Sequence, residues 1–251
     1  MQAYDPELYA LVHRGNPGDV DFYVERCTGH SVLELGCGYG RLLGPLAQVA
    51  RRYVGLELDD GLRALAEAAL QALDASAAAR VEVLGGDMRE FDLAERFERI
   101  LIPYSGLYCL GGKAGVLRCL KAARAHLRDD GRLLADAYAA DAFHAEARPG
   151  DLSDDHLEPV CQVQQGRQLL EVYEQSSWNR RAQRMDVTYC YELPDGEVVH
   201  EGRIRHDYLL SSQLEKLLRD AGFAHVELAE DFDREAPDPE AELIVIEASP
   251  R

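Results

Sequence analysis

No run of 18 apolar residues occurs in the chain, so no membrane-spanning helix is encoded. The opening residues, Met1 to Pro6, carry neither a basic flank nor an apolar stretch and do not resemble a secretory leader, so a cytoplasmic protein is expected. Basic charge is scarce as well: 27 Lys and Arg stand against 45 Asp and Glu, a formal net charge of −18. Nucleic-acid binding depends on neutralising phosphates with Lys and Arg, and no block of five or six basic residues is present. The longest basic cluster, Arg180 and Arg181 with Arg184, reads as a solvated strand or turn. Nucleic-acid substrates are disfavoured. The six cysteines, at 27, 37, 109, 119, 161 and 190, form no CxxC pair and no zinc-like spacing. They read as free buried thiols, and no metal is expected.

What is present is an ordinary globular composition, 47% hydrophobic over 251 residues, enough for one α/β domain with a modest insertion. After tyrosine-bearing segments up to residue 30, short apolar strands are read at Ser31–Leu35, Tyr53–Glu57, Val81–Leu84 and Ile100–Ile102. Between them lie helical stretches at Arg41–Ala50 and from an Asp59/Asp60 cap to Leu73. A helix over Ala114–Leu127 is expected to end at Asp129-Asp130-Gly131, with a fifth strand opening at Arg132–Ala135. This alternation predicts a parallel, helix-covered sheet. The rhythm breaks near residue 145. Residues 160–164, 169–191 and 198–210 have β character with alternating polar positions, and Pro194-Asp195-Gly196 marks a hairpin turn. A helix at Ser211–Ala221, a strand at Phe223–Leu228, an acidic loop to Glu240 and a strand at Leu243–Glu247 complete the chain. The expected division is a core of residues 1–145 and 209–251 around an inserted antiparallel cap, 146–208.

The strongest signal is an apolar strand, Val32 to Leu35, running directly into glycines at 36, 38 and 40 and then a helix. Glycine permits tight turning and lets a ligand approach the backbone. The spacing is GxGxG, which differs from the GxGxxG of dinucleotide-binding loops. Glu57 closes the second strand, where a carboxylate can accept both hydroxyls of a ribose. Asp87 follows the third strand, where a carboxylate can accept from an adenine amino group with Met88 against the ring. Alone, each acid reads as a solvated loop residue. Together with the loop they occupy the ends of three successive strands, the edge where open α/β sheets bind ligands.

In these motifs, LELGCGYG, LELDD and GDMREF, with PYSGLYCL in fourth place and LLRDAGF before the late strand, the chain resembles the class I S-adenosylmethionine-dependent methyltransferase superfamily. The resemblance covers 30–145 and 208–248. It implies a Rossmann-like, seven-stranded, mostly parallel sheet with the last strand antiparallel and helices on both faces. It implies S-adenosylmethionine as cofactor and S-adenosylhomocysteine as product. Implied cofactor contacts are Tyr9, Glu34, Gly36, Cys37, Gly38, Gly40, Arg41, Glu57, Leu58, Asp87, Met88 and Pro103, with Glu34 meeting the methionyl amine through water.

The cap is similar to that of small-molecule N-methyltransferases of the amino-sugar N,N-dimethyltransferase and glycine or sarcosine type, through Trp178, Tyr189, Tyr191 and Arg203 to Tyr208. The segment from Tyr4 to Tyr23 resembles the part that closes over the cofactor, with Tyr9, His13 and Tyr23 as candidates. An amine nucleophile must be neutral, so a base or proton outlet is useful. His144, His206 and Tyr208 are the catalytic candidates, with ordinary surface or packing roles as the alternative for the histidines. Tyr23, Tyr104, Tyr108, Tyr138 and Trp178 are the candidates for substrate contact, and core packing explains Tyr104, Tyr108 and Tyr138 equally well. Ile102-Pro103-Tyr104-Ser105 lacks the Asn and a Pro of the NPPY motif of nucleobase methyltransferases, and that assignment is rejected. The expected activity is methyl transfer to a small molecule at an amine nitrogen. O- or C-methylation of a secondary metabolite is the alternative, and a non-catalytic cofactor-binding module is a further one. The expected partner is a small-molecule substrate, without nucleic acid or membrane, and with a homodimer as the self-association to test.

Overall fold

The computed structural model describes residues 4–146, 157–232 and 242–251. Its strands are β1 Ser31–Leu35, β2 Arg52–Glu57, β3 Val81–Gly85, β4 Phe97–Ile102, β5 Leu127–Tyr138, β6 Glu158–Gln165, β7 Gln168–Asn179, β8 Arg184–Glu192, β9 Val198–Asp207, β10 His225–Glu230 and β11 Leu243–Ser249. Its helices are α1 Pro6–Val12, α2 Asp19–Cys27, α3 Leu43–Val49, α4 Asp60–Gln71, α5 Ala75–Ala78, α6 Lys113–His126, α7 Asp141–Glu146 and α8 Ser211–Asp220.

Seven strands join in the order β10-β11-β5-β4-β1-β2-β3. All neighbours from β5 to β3 run parallel, whereas β11 is antiparallel to both β5 and β10. Side chains alternate across a strand, and here they sort into two cores. Leu33, Leu35, Ile100, Ile102, Leu133 and Ile246 pack with Val116, Leu120, Leu214 and Leu218 of α6 and α8. Val32, Leu101, Leu134 and Val245 pack with Phe22, Tyr23, Leu43 and Leu46 of α2 and α3. Helices therefore cover both faces, and strand order reverses beside β1, where loops from β1 and β4 part to leave a crevice.

A separate antiparallel sheet, β6-β7-β8-β9, is built from the segment read as the cap. Leu8 of α1 packs into it against Val163, Leu170, Val172 and Tyr191, so the N-terminal helix bridges cap and core.

Three local expectations need correction. The sixth helix ends at His126, and β5 runs through Asp129-Asp130-Gly131. Leu127 pairs with Phe97 across a register shift, and its side chain covers Gly131, where an added Cβ would lie 2.8 Å from Leu127 Cδ1. The stretch read as continuous over 169–191 is two strands, turned at 180–183 with Asn179 Oδ1 accepting the Ala182 N–H at 2.9 Å. Cys109 and Cys161 are exposed, while the other four thiols are buried and free.

Candidate active site

After β1 the chain passes through Gly36, Gly38 and Gly40, all with positive φ (72°, 57° and 83°). The N–H groups of Gly36 and Cys37 both donate to Leu56 O, at 2.8 and 3.1 Å, which bends the loop over the end of β2. An added Cβ at Gly38 would meet nothing within 4 Å, so this backbone faces open space. At Gly40 the Cβ would lie 3.1 Å from Ala66 Cα, so that glycine serves the packing of α4.

The buried Glu57 carboxylate accepts the Gly38 N–H on Oε2 and the Asp59 N–H on Oε1, each at 2.8 Å. Each oxygen keeps a further lone pair for a ligand. Glu34, on β1, is buried and accepts the Tyr53 hydroxyl at 2.6 Å; burial pushes its carboxyl up to about 7. Asp87 is gripped by its neighbour, Arg89 Nη2 standing 2.6 Å from Oδ2, and this partner holds its carboxyl below the usual range. Arg41 forms a paired contact with buried Asp19, at 2.9 and 2.6 Å, tying the loop to the start of α2. A cavity of about 290 Å³ collects Glu34, Gly36, Cys37, Gly38, Arg41, Glu57, Leu58, Asp87, Met88 and Pro103. Of the residues read as cofactor contacts, only Gly40 is not on its wall, and Tyr9 also lines it.

A second cavity of about 650 Å³ opens between the sheet edge, the N-terminal segment and the cap. Tyr9, His13, Leu62, Tyr104 and Cys109 border both cavities. The cap contributes Glu174, Met185, Val187, Tyr189, Arg203 and His206. Burial pushes His13 and His206 down to about 4, so both rings are neutral at pH 7.

Tyr104 reaches the junction through backbone strain. Tyr104 and Ser105 both have left-handed φ (51° and 59°), a costly conformation for non-glycine residues. Asp136 of β5 holds it: its Oδ1 accepts the Tyr104 N–H at 3.0 Å, and its carbonyl accepts the Ser105 N–H at 2.9 Å. The same fully buried carboxylate accepts the Tyr23 hydroxyl at 2.5 Å and Asn16 Nδ2 at 3.0 Å.

The structure does not bring every candidate together. Tyr104, Tyr138 and His206 line the larger cavity. Tyr23 and Tyr108 are core residues, with Tyr108 Oη held by the carbonyls of Tyr138 and Leu209, both at 3.1 Å. His144 and Trp178 border a separate shallow depression with Arg180 and Arg181. Their polar atoms meet buried Tyr208, whose hydroxyl lies 2.8 Å from His144 Nδ1 and accepts the Trp178 N–H at 2.9 Å. Asp136 and Glu174 escaped the sequence reading. Neither sits in a motif, and their roles arise from strands distant in the chain.

A family model described as a methyltransferase domain matches residues 32–131, the stretch holding the glycine loop, Glu57 and Asp87. The chain therefore carries a methyltransferase domain, and the motifs within it are those that resemble the class I S-adenosylmethionine-dependent methyltransferases. A curated relative, the dTDP-3-amino-3,6-dideoxy-alpha-D-glucopyranose N,N-dimethyltransferase of Streptomyces fradiae, is 28% identical over 233 residues, covering 87% of this chain and 83% of its own. Among solved structures, the CcbJ methyltransferase of Streptomyces caelestis shares the fold with a TM-score of 0.78 at 20% identity, over 94% of this chain and 90% of that one. The S-adenosylmethionine-bound amino pentose methyltransferase CalS10 of Micromonospora echinaspora does so with 0.67 at 19% identity, over 92% and 88%.

The motifs around this cavity imply S-adenosylmethionine as methyl donor, which when bound would supply a methyl group on a positively charged sulfur. The smaller cavity fits such a group. It offers an unobstructed glycine backbone and buried carboxylates with lone pairs to spare, the donor set that a hydroxyl-rich, cationic nucleoside requires. No helix among the described residues is long and apolar enough to cross a membrane.

Proposed function

We propose that this methyltransferase alkylates the amine nitrogen of a small, soluble molecule held in the 650 Å³ cavity. The observation that carries the reading is the shared wall. Tyr9, His13 and Tyr104 face both cavities, so a molecule in the larger one ends against the contents of the smaller. The volume lies within the range of small-molecule sites. In this reading Glu57 takes the ribose hydroxyls, Asp87 and Met88 the adenine, and Glu34 the methionyl amine.

Aligning nucleophile and methyl donor supplies much of the rate of an in-line displacement. The chain's task is therefore positional: the tyrosine walls exclude water and orient the acceptor. The neutral rings of His13 and His206 add no positive charge to that of Arg203 and Arg205 on the cavity wall. The substrates named for the curated relative and for CalS10 are amino sugars, which supports an amine acceptor. A formal charge of −18 supports a small molecule over a nucleic acid.

The test is transfer of labelled methyl from S-adenosylmethionine to dTDP-3-amino-3,6-dideoxy-α-D-glucopyranose, with the 3-hydroxy sugar nucleotide beside it. Label on the amine alone is the expected result. Label on the hydroxyl compound alone would replace N- by O-methylation.

A further inference from the structure

His13 follows α1 and borders both cavities. Its Nε2 lies 3.1 Å from the Tyr4 hydroxyl, which lies 2.7 Å from the Tyr191 hydroxyl, which lies 3.1 Å from Leu8 O. The direction of this chain of hydrogen bonds is determined from its end. A carbonyl cannot donate, so the Tyr191 proton points at Leu8. Each hydroxyl has one proton, so Tyr4 donates to Tyr191. The last link must then be His13 Nε2–H donating to Tyr4. The neutral ring thus carries its proton on Nε2, and Nδ1 is a bare acceptor. Among the described residues no group hydrogen-bonds to that Nδ1.

The ring is also held in place. Tyr9 lies 4.2 Å from it between centroids and Tyr189 packs edge-on at 4.9 Å. Tyr4 reaches it only because residue 202 is glycine: a Cβ there would lie 2.3 Å from Tyr4 Cε2. The titratable groups facing His13 are Tyr4, Tyr9, Tyr104, Tyr189 and His206, none of them anionic at neutral pH.

We propose that His13 is a specificity-determining residue that touches the methyl acceptor, its Nδ1 locked by the Tyr191–Tyr4 relay as a hydrogen-bond acceptor for an N–H of the nitrogen to be methylated. The inference rests on the reading that the larger cavity holds that acceptor. It makes a chemical distinction. A primary or secondary amine offers an N–H to Nδ1, whereas a tertiary amine offers none once the ammonium formed by the second transfer has released its proton to solvent, so the site holds its substrate until the second methyl is in place and that proton has left.

Two substitutions separate the ring's two nitrogens. His13→Gln keeps a donor near Nε2 for Tyr4 but removes the acceptor at Nδ1; His13→Asn places an amide oxygen near Nδ1. With the chain saturated by S-adenosylhomocysteine, the dTDP-3-amino sugar is expected to bind His13→Gln about tenfold more weakly than wild type. His13→Asn is expected to recover most of the loss, and the cofactor product should bind all three alike. At a pH above the pKa of both amines, the N,N-dimethylated sugar should bind wild type about tenfold more weakly than the primary amine, and His13→Gln should not discriminate. Equal affinity of wild type and His13→Gln for the primary amine would overturn the proposal. Nitrogen-15 NMR of the imidazole provides an independent test without an acceptor. A protonated Nε2 and bare Nδ1 are expected, with the proton redistributing in Tyr4→Phe; a proton on Nδ1 in the wild type would overturn it. A chain that binds S-adenosylhomocysteine but not the nucleotide sugar would sink the acceptor assignment alone, and the NMR result would then decide the role of His13.

Discussion

Glu57 Oε2 accepts the Gly38 N–H at 2.8 Å, so the residue that closes β2 also fastens the bend that follows β1. One carboxylate therefore shapes the loop and leaves lone pairs toward the cavity. Glu57→Ala should weaken S-adenosylhomocysteine binding a hundredfold or more, since it loses both functions. Glu57→Gln should lose less, because its amide oxygen still takes one N–H while its NH₂ cannot accept. Titration calorimetry checks the order; equal losses would mean that the loop contact, not charge, matters.

Gly38 and Gly40 share a left-handed backbone but differ in what lies beside them. Gly38→Ala places its methyl in open space and carries only a backbone cost of about 1 kcal/mol. Its main effect should be on cofactor affinity, through the backbone approach it obstructs. Gly40→Ala adds a contact 3.1 Å from Ala66 Cα to the same backbone cost and should lower stability by about 2–3 kcal/mol. Urea unfolding beside cofactor titration separates the two. Equal stability losses would contradict the assignment of Gly40 to packing.

The loop and its two acids are legible from sequence because each is local: a strand, a glycine bend and a carboxylate at the next strand's end lie within a few residues of their motif. The alternating burial that splits Leu33 from Val32 is legible for the same reason. Other features depend on contacts that no local pattern encodes. Tyr23 meets Asp136 across 113 positions, and Tyr4 meets Tyr191 across 187. The cap's resemblance makes Trp178 a candidate for substrate contact and Tyr208 a catalytic candidate, yet their polar atoms are spent on each other. A resemblance places two rings in one cap, but it does not show that Phe143 packs against both.

The buried groups around the cavities give opposed pH dependences. His13 and His206 have pKa values of about 4, below their ordinary 6.5, so they stay neutral when folded but charge when unfolded. The stability they allow is present above 6.5 and is lost as pH falls toward 4. Glu34, at about 7, is raised above its ordinary 4.5, so its contribution is present below 4.5 and is lost as pH rises through 7. Two histidines outweigh one carboxyl, so the free chain should weaken between pH 6.5 and 4.5. His13→Asn should flatten that loss by on the order of 2 kcal/mol, and Glu34→Gln should steepen it. Urea midpoints measured at pH 5 and 7 give the comparison, and a steeper loss in His13→Asn would refute the neutral assignment.

Asp136 carries the strained Tyr104-Ser105 turn, and its removal should reveal how much the cavity wall depends on it. Its side chain satisfies the Tyr23 hydroxyl, the Tyr104 N–H and Asn16 Nδ2. Asp136→Ala would leave the buried Tyr23 hydroxyl and two half-buried donors unpaired and should cost about 3–5 kcal/mol. Tyr23→Phe removes one hydrogen bond and leaves the Tyr104 N–H still paired, so about 1–2 kcal/mol is expected with the turn intact. The two variants thus separate stability from geometry. In Tyr23→Phe the amino-sugar affinity should stay within twofold of wild type. In Asp136→Asn, which keeps an oxygen for Tyr23 and Tyr104 but turns an amide NH₂ toward Asn16, stability should fall between the two. If Tyr23→Phe abolished acceptor binding while remaining folded, Tyr23 would have to reach the cavity despite its complete burial.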